Sequence, residues 1–168
     1  MIWVVVIAGL VASVDQLTKW LVTRFIEFDE AHVIIPGFFS IVHWRNTGAA
    51  WGMLRDYNLV LAGVSLITIL VLYLLRHTFQ LHRAVSRLAL GLIAGGIVGN
   101  LLDRVRVGSV IDFLDFQVAG RHWPAFNVAD SAICVGVVLY MIISWHADKG
   151  TDKPSPFEKE RSHPVIHF

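Results

Sequence analysis

The chain is poor in cysteine and in charge. Cys134 is its one cysteine in 168 residues, which excludes an internal disulfide and a thiolate metal cluster. Charged residues make up 16% of the chain, and the lysines and arginines are scattered instead of forming a basic stripe. With a net charge of +1, we expect no nucleic-acid partner. The eight histidines lack the spacing of a metal site, so we expect no metal and no cofactor.

Apolar sequence, by contrast, is abundant. Hydrophobic residues make up 55% of the chain and the mean hydropathy is +0.62, which is too apolar for an ordinary soluble domain. We predict an all-α integral membrane protein with one domain, residues 1–146. The polar, proline-containing tail 147–168 has no apolar face to bury, and we expect it to be disordered.

Four apolar runs predict four transmembrane helices. The first is charge-free over Met1–Val14 and continues less cleanly to about Phe25, and the second is Tyr57–Leu75, close to the ~20 residues that cross a bilayer. The third is Leu88–Leu102, and the fourth starts near Asn127 and ends at Trp145. A cleaved signal peptide is the alternative for the first run, but that run lacks a positively charged start and three more apolar runs follow.

Small residues recur on the last two runs. Gly91, Gly95 and Gly99 form two overlapping GxxxG steps, and Ala132 and Gly136 repeat the spacing. This pattern predicts close approach of neighbouring helices.

The segment Glu27–Tyr57 differs from the apolar runs around it. It contains Pro36-Gly37, then F-F-S-I-V-H-W-R, then N-T-G-A-A-W-G. Aromatic and β-branched residues beside a glycine turn predict a small β-structured region outside the hydrocarbon. An irregular interfacial loop with an aromatic belt is the alternative.

Polar residues should converge at one end of a four-helix, up-and-down arrangement, where the first and third runs end and the second and fourth begin. The residues concerned are Asp15, Lys19, the Asn46–Arg55 segment, Asn100, Asp103, Arg104, Asp112, Asp115, Asn127 and Asp130. Ionisable groups at the ends of membrane spans are costly and mark a functional hypothesis. Lysine and arginine divide evenly between the two sides, so charge alone does not orient the chain, although Arg76, Arg83 and Arg87 mildly favour a cytoplasmic hairpin.

Four aspartates within this polar end are candidates for catalysis. Two carboxylates in a low-dielectric site cannot both ionise readily, and such a pair can activate water and polarise a carbonyl. Asp130 opens the fourth run. Asp112 belongs to V-I-D-F-L-D-F, which we place in the loop before that run, far enough upstream for the chain to fold back, but spacing does not exclude Asp103 or Asp115. The structural alternatives are a first-turn position for Asp130 and a surface pair of Asp103 with Arg104.

Five motifs occur in a fixed order along the chain: D-Q-L-T-K (15–19), N-T-G-A-A-W-G (46–52), G-G-I-V-G-N-L-L-D-R (95–104), V-I-D-F (110–113) and F-N-V-A-D (126–130). The set resembles the lipoprotein signal peptidases, the bacterial type II signal peptidase family. The resemblance covers nearly the whole chain except the tail. Trp51 and Ile97 stand where that family usually has Phe and Ala, and neither position carries the chemistry.

The resemblance implies an intramembrane aspartyl endopeptidase with four transmembrane helices and a small periplasmic β-cradle. It would remove signal peptides from diacylglyceryl-modified prolipoproteins just before the lipidated cysteine. Matched by motif, the catalytic pair would be Asp112 and Asp130, and the residues lining or supporting the site would be Asp15, Lys19, Asn46, Asn100, Arg104 and Asn127. The implied setting is the bacterial inner membrane, with the site facing the periplasm, the termini in the cytoplasm, membrane lipids as partners, and a monomer.

Two other classes are compatible with membrane carboxylates. A proton-coupled transporter would use them, but near the midplane of broken helices instead of at one edge. A non-catalytic assembly protein would tolerate loss of every aspartate.

Overall fold

The structure is a computed structural model, and it describes residues 1–48 and 53–151, with side chains to residue 146. The four long helices are α1 (Ile2–Phe25), α2 (Asn58–Leu74), α3 (Ala84–Val107) and α4 (Val128–Thr151). The strands are β1 (Ala31–Ile35), β2 (Phe39–Asn46), β3 (Val110–Val118) and β4 (Arg121–His122). A short 3₁₀ turn at Arg76–Thr78 follows α2.

Three helices among the described residues are long and apolar enough to cross a membrane: α1, α3 and the Val128–His146 part of α4. Helix α2 is apolar but has 17 residues, which is about 25 Å at 1.5 Å per residue. A hydrocarbon core of about 30 Å is slightly thicker than that. The structure therefore confirms a mostly helical protein with membrane-length helices and a small sheet, while the fourth span stays a prediction.

The third and fourth predicted runs extend further in the structure than their uncharged cores. Helix α3 begins at Ala84 and ends at Val107, so it takes in Arg87 and Asp103 on either side of the apolar stretch. Helix α4 continues to Thr151, past the predicted end at Trp145. The remainder of the predicted tail, 152–168, lies outside the described residues, so its disorder stays a prediction.

Close helix packing confirms the glycine pattern. A Cβ at Gly95 would lie 2.7 Å from the Ala8 carbonyl oxygen of α1, and one at Gly136 would lie 2.7 Å from the Ala89 carbonyl oxygen of α3. Both distances are far below normal contact, so only glycine allows these backbones to approach. Helix α3 is consequently packed between α1 and α4.

The strands form one antiparallel sheet in the order β1-β2-β3-β4. Strands β1 and β2 confirm the β-structure predicted within Glu27–Tyr57, and this part of the segment is not an irregular loop. Strand β3 is a correction, because the sequence analysis placed V-I-D-F-L-D-F in a loop. Its residues 110–113 are all buried, so the strand lacks the apolar–polar alternation that identifies a half-exposed strand.

Candidate active site

Asp112 and Asp130 come from two elements that meet at one end of the helices. Asp112 lies in β3 opposite Trp44 of β2, and Asp130 lies in the first turn of α4. Asn127 joins them: its Nδ2 donates to Asp112 Oδ1 at 2.8 Å, and its Oδ1 accepts from the Asp130 amide at 3.0 Å. The Asn127 amide donates in return to Asp130 Oδ2 at 3.3 Å. This reciprocal pair is a capping box that starts α4, so the same contacts build the helix and hold both aspartates.

Two further asparagines hold the outer oxygens of the aspartates. Asn46 Nδ2 donates to Asp112 Oδ2 at 3.0 Å, and Asn100 Nδ2 donates to Asp130 Oδ1 at 2.7 Å. These donors are neutral amides. In the part of the chain that the structure describes, neither aspartate has a lysine or arginine within ion-pair distance.

Burial and charge together set the protonation of Asp112, whose residue surface is 4% exposed. Burial, and then the negative charge of Asp130, raise the pKa of Asp112 to about 7, against hydrogen bonds from Asn46 and Asn127 that lower it. A carboxyl group with a pKa near 7 can give or take a proton at neutral pH. We refer to Asp112 and Asp130 as the aspartate pair.

A second buried group, the lysine cluster, consists of Asp15, Lys19 and Asp103. Lys19 Nζ lies 2.8 Å from Asp15 Oδ2 and 2.7 Å from Asp103 Oδ2. All three residues are at most 3% exposed. Asp103 is therefore not the surface partner of Arg104, as one structural alternative had it. Asp103 faces α1, where its partner Lys19 lies. Arg104, the next residue along α3, points in another direction, because adjacent residues of a helix do not share a face.

The lysine cluster also positions the aspartate pair. Lys19 Nζ donates to Asn100 Oδ1 at 3.0 Å, which orients the Asn100 amide toward Asp130. Asp15 Oδ1 accepts from the Ala129 amide at 2.9 Å, and Asp103 Oδ2 accepts from the Ile111 amide at 3.2 Å. The cluster thus fixes the residue before each member of the pair.

The room for Asp15 comes from a glycine, and a glutamine completes the cluster. A Cβ at Gly99 would lie 2.6 Å from Asp15 Oδ2, so the third glycine of the GxxxG series admits this carboxylate. Gln16 Nε2 donates to Asp103 Oδ1 at 2.8 Å and to the Gly99 carbonyl at 3.1 Å. The sequence analysis did not single out Gln16, although it lies inside the D-Q-L-T-K motif.

Asp115, the remaining rival, lies elsewhere. Its Oδ1 is 2.9 Å from His122 Nδ1 across the β3–β4 pair. It lines neither of the two cavities described here. The geometry thus brings Asp112 and Asp130 together and gives Asp103 and Asp115 other partners.

The aspartate pair opens into a cavity of about 520 Å³, which we call the inner cavity. Asn46, Asn100 and Arg104 line it with the pair, and its apolar wall includes Phe126, Ile133 and Cys134. Arg104 donates to the Gly48 carbonyl at 3.3 Å, which ties α3 to the segment after β2. A second cavity of about 490 Å³, the outer cavity, adjoins it at Asn46, Gly48, Asp112, Pro124 and Ala125.

Histidine, cysteine, aspartate and glutamate side chains do not gather into a metal-binding group of three or more within the described ranges. The carboxylates that lie close together are held by amides or by Lys19.

Comparison with known proteins matches residues 7–146 to the family described as signal peptidase (SPase) II. A lipoprotein signal peptidase of Syntrophotalea carbinolica is 44% identical over 142 residues, 83% of this chain and 88% of the relative. That of Geobacter metallireducens is 48% identical over 129 residues, 75% of this chain and 80% of the relative. A bacterial membrane enzyme solved by the in meso method at 2.3 Å resolution superposes with a TM-score of 0.80 at 32% identity, covering 90% of this chain and 92% of that one. The chain therefore belongs to the signal peptidase II family and is a membrane-embedded peptidase.

Proposed function

We propose that this peptidase is an intramembrane aspartyl endopeptidase that removes signal peptides from diacylglyceryl-modified prolipoproteins, cutting just before the lipidated cysteine. The observation that carries the proposal is the aspartate pair. Its two carboxylates share Asn127 and one cavity, and no cation among the described residues lies at ion-pair distance from either of them. Relatives at 44% and 48% identity bear the name lipoprotein signal peptidase.

The pair would work by sharing one proton. Asp112 keeps its proton up to about pH 7, so it would donate a hydrogen bond to the scissile carbonyl, while ionised Asp130 takes a proton from water. The hydroxyl then adds to the carbonyl carbon. When the C–N bond breaks, the departing amine receives the proton, so that one water is consumed and the pair regains its starting state.

The position of the pair suits a substrate that carries lipid. The inner cavity is walled on one side by Ile133 and Cys134 of α4, and neighbouring α4 residues such as Val135 and Val138 are exposed apolar side chains. Acyl chains can stay among such surfaces in the bilayer while the peptide bond reaches the aspartates. Burial in an apolar phase contributes about 0.8 kcal/mol per CH₂, so lipid modification would strengthen binding without any polar contact.

For topology, we propose four spans in the bacterial inner membrane, with both termini and the Arg76–Arg83 hairpin in the cytoplasm and the sheet in the periplasm. Reporters fused after Trp145 and within the hairpin should both report cytoplasm, and one within residues 27–48 should report periplasm. If the hairpin and the C-terminal reporters disagree, the four-span arrangement is wrong.

The function is tested with purified protein, a lipid-modified precursor and the same precursor without lipid, followed by mass analysis of the products. We expect cleavage of the modified precursor at the bond before the cysteine and little cleavage of the unmodified one. Asp112→Asn should abolish the product, whereas Asp115→Asn, a matched change three residues along the same strand, should not. Cleavage at another bond would reject the proposed specificity.

A further inference from the structure

The outer cavity differs from the inner one in the elements that form it. Its lining comes from β2, from the segment around Thr47 and Asp56, from β3, and from Pro124 and Ala125. Among the residues that the structure describes, none that lines it belongs to α1, α2, α3 or α4. The two cavities meet at Asp112, so one side of a bond held at this aspartate faces the helices and the other faces the sheet.

The outer cavity also has two positively charged side chains in its lining. Arg45 and Arg55 line it, and both are exposed. Within the described ranges neither arginine has a carboxylate at ion-pair distance. Two acidic side chains line this cavity as well. Asp112 belongs to the aspartate pair and is held by amides, and Asp56 accepts a hydrogen bond from Thr47 Oγ1 at 3.0 Å. Arg45 is held with its guanidinium 5.4 Å from the centre of the Phe28 ring, which restrains its position.

We propose that the outer cavity binds the residues that follow the lipidated cysteine, and that Arg45 and Arg55 favour acidic side chains there. This inference rests on the proposed function. The signal peptide and the acyl chains are apolar and belong with the helices, so the polar chain that continues after the cut must lie on the sheet side. Guanidinium groups bind carboxylates through two parallel hydrogen bonds. Arg45 and Arg55 have no carboxylate at ion-pair distance within the described ranges, so both can bind an acidic side chain of the substrate.

The test uses three diacylglyceryl-modified precursor peptides that differ only in the two positions after the cysteine, which are Asp, Asn or Lys. Exposed charge pairs are worth about 0.2–1 kcal/mol, a factor of about 1.4 to 5, so kcat/KM should fall by about this factor from the Asp to the Asn peptide and again to the Lys peptide. The difference should lie mainly in KM and should shrink at high ionic strength. Each variant is judged by its Asp/Asn ratio, because this ratio cancels any general loss of activity.

Two arginine variants and one control complete the design. Arg45→Gln/Arg55→Gln should bring the Asp/Asn ratio close to one. Arg45→Glu/Arg55→Glu should bring this ratio below one and make the Lys peptide the best of the three substrates. Arg24→Gln, an exposed arginine at the end of α1 that lines neither cavity, should keep the wild-type ratio. Equal kcat/KM for the three peptides with wild-type enzyme, or an unchanged ratio in both double variants, would overturn the inference. Failure to cut any of the three lipid-modified peptides would instead reject the proposed function.

Discussion

The aspartate pair and the lysine cluster each contain two carboxylates, all of them buried except the half-buried Asp130. Two hydrogen bonds through Asn100 link the two groups. The lysine cluster contains its own cation at 2.7–2.8 Å from each carboxylate. The aspartate pair is held by neutral amides. A buried charge without a counter-charge is costly. The lysine cluster therefore has the arrangement expected of a structural group, whereas the aspartate pair keeps an unfavourable arrangement that is typical of functional sites.

We expect the largest effect on activity when either member of the aspartate pair is removed. Asp112→Asn and Asp130→Asn keep the shape but remove the shared proton, so cleavage of a lipid-modified precursor should fall at least 10²- to 10⁴-fold. Initial rates with equal amounts of folded enzyme measure this. A near wild-type rate from either well-folded variant would show that the pair is not the catalytic one.

The lysine cluster should respond in stability first. Lys19→Met leaves Asp15 and Asp103 buried without a cation, and breaking a buried pair in this way typically costs about 3–5 kcal/mol. Unfolding in detergent micelles measures the loss, and Arg106→Gln, an exposed helix residue that donates to Gln16, serves as control with an expected change within about 0.5 kcal/mol. A Lys19→Met protein as stable as the control would mean that the cluster does not hold the fold.

The aspartate pair should show the opposite relation between stability and charge. Because the pKa of Asp112 is raised from 3.8 to about 7, its contribution to stability is full below about pH 3.8 and is lost as the pH rises to about 7. Relative to Asp112→Asn, the wild type should therefore lose about 1.4 kcal/mol for each pH unit in this window. Above pH 7 the stability difference between the two proteins should no longer change with pH. A stability difference that does not change with pH would contradict the raised pKa.

The sequence predicted the helices and the polar end but not how the carboxylates divide into two groups. The uncharged run Tyr57–Leu75 predicted both ends of α2 to within one residue, because a helix in lipid requires continuous apolar sequence. The structural alternative for Asp103 was a surface pair with Arg104, its neighbour in sequence, whereas its partner Lys19 comes from another helix. Spacing does not reveal such long-range contacts. Only the family resemblance singled out Asp112 among its rivals. The strand β3 that carries it was not predicted either, because it lacks the apolar–polar alternation of a half-exposed strand.

The smallest expected effect falls on Asp115, which lies in the same strand as Asp112 and is equally buried at 2% exposure. Its partner is His122, whose side chain is 52% exposed, so the contact lies at the edge of the protein and is screened by water. Asp115→Asn keeps one oxygen as an acceptor for His122 and should lower stability by about 0–1 kcal/mol.

The same substitution should leave kcat/KM for a lipid-modified precursor within about 5-fold of wild type, because Asp115 lines neither cavity. Asp112→Asn, assayed in parallel, is the matched change on the strand. If Asp115→Asn were inactive while folded and Asp112→Asn were active, an aspartyl mechanism would remain but its residues would be wrongly assigned. Burial alone would then be no guide to function, and the distinction between carboxylates with a partner and carboxylates without one would fail.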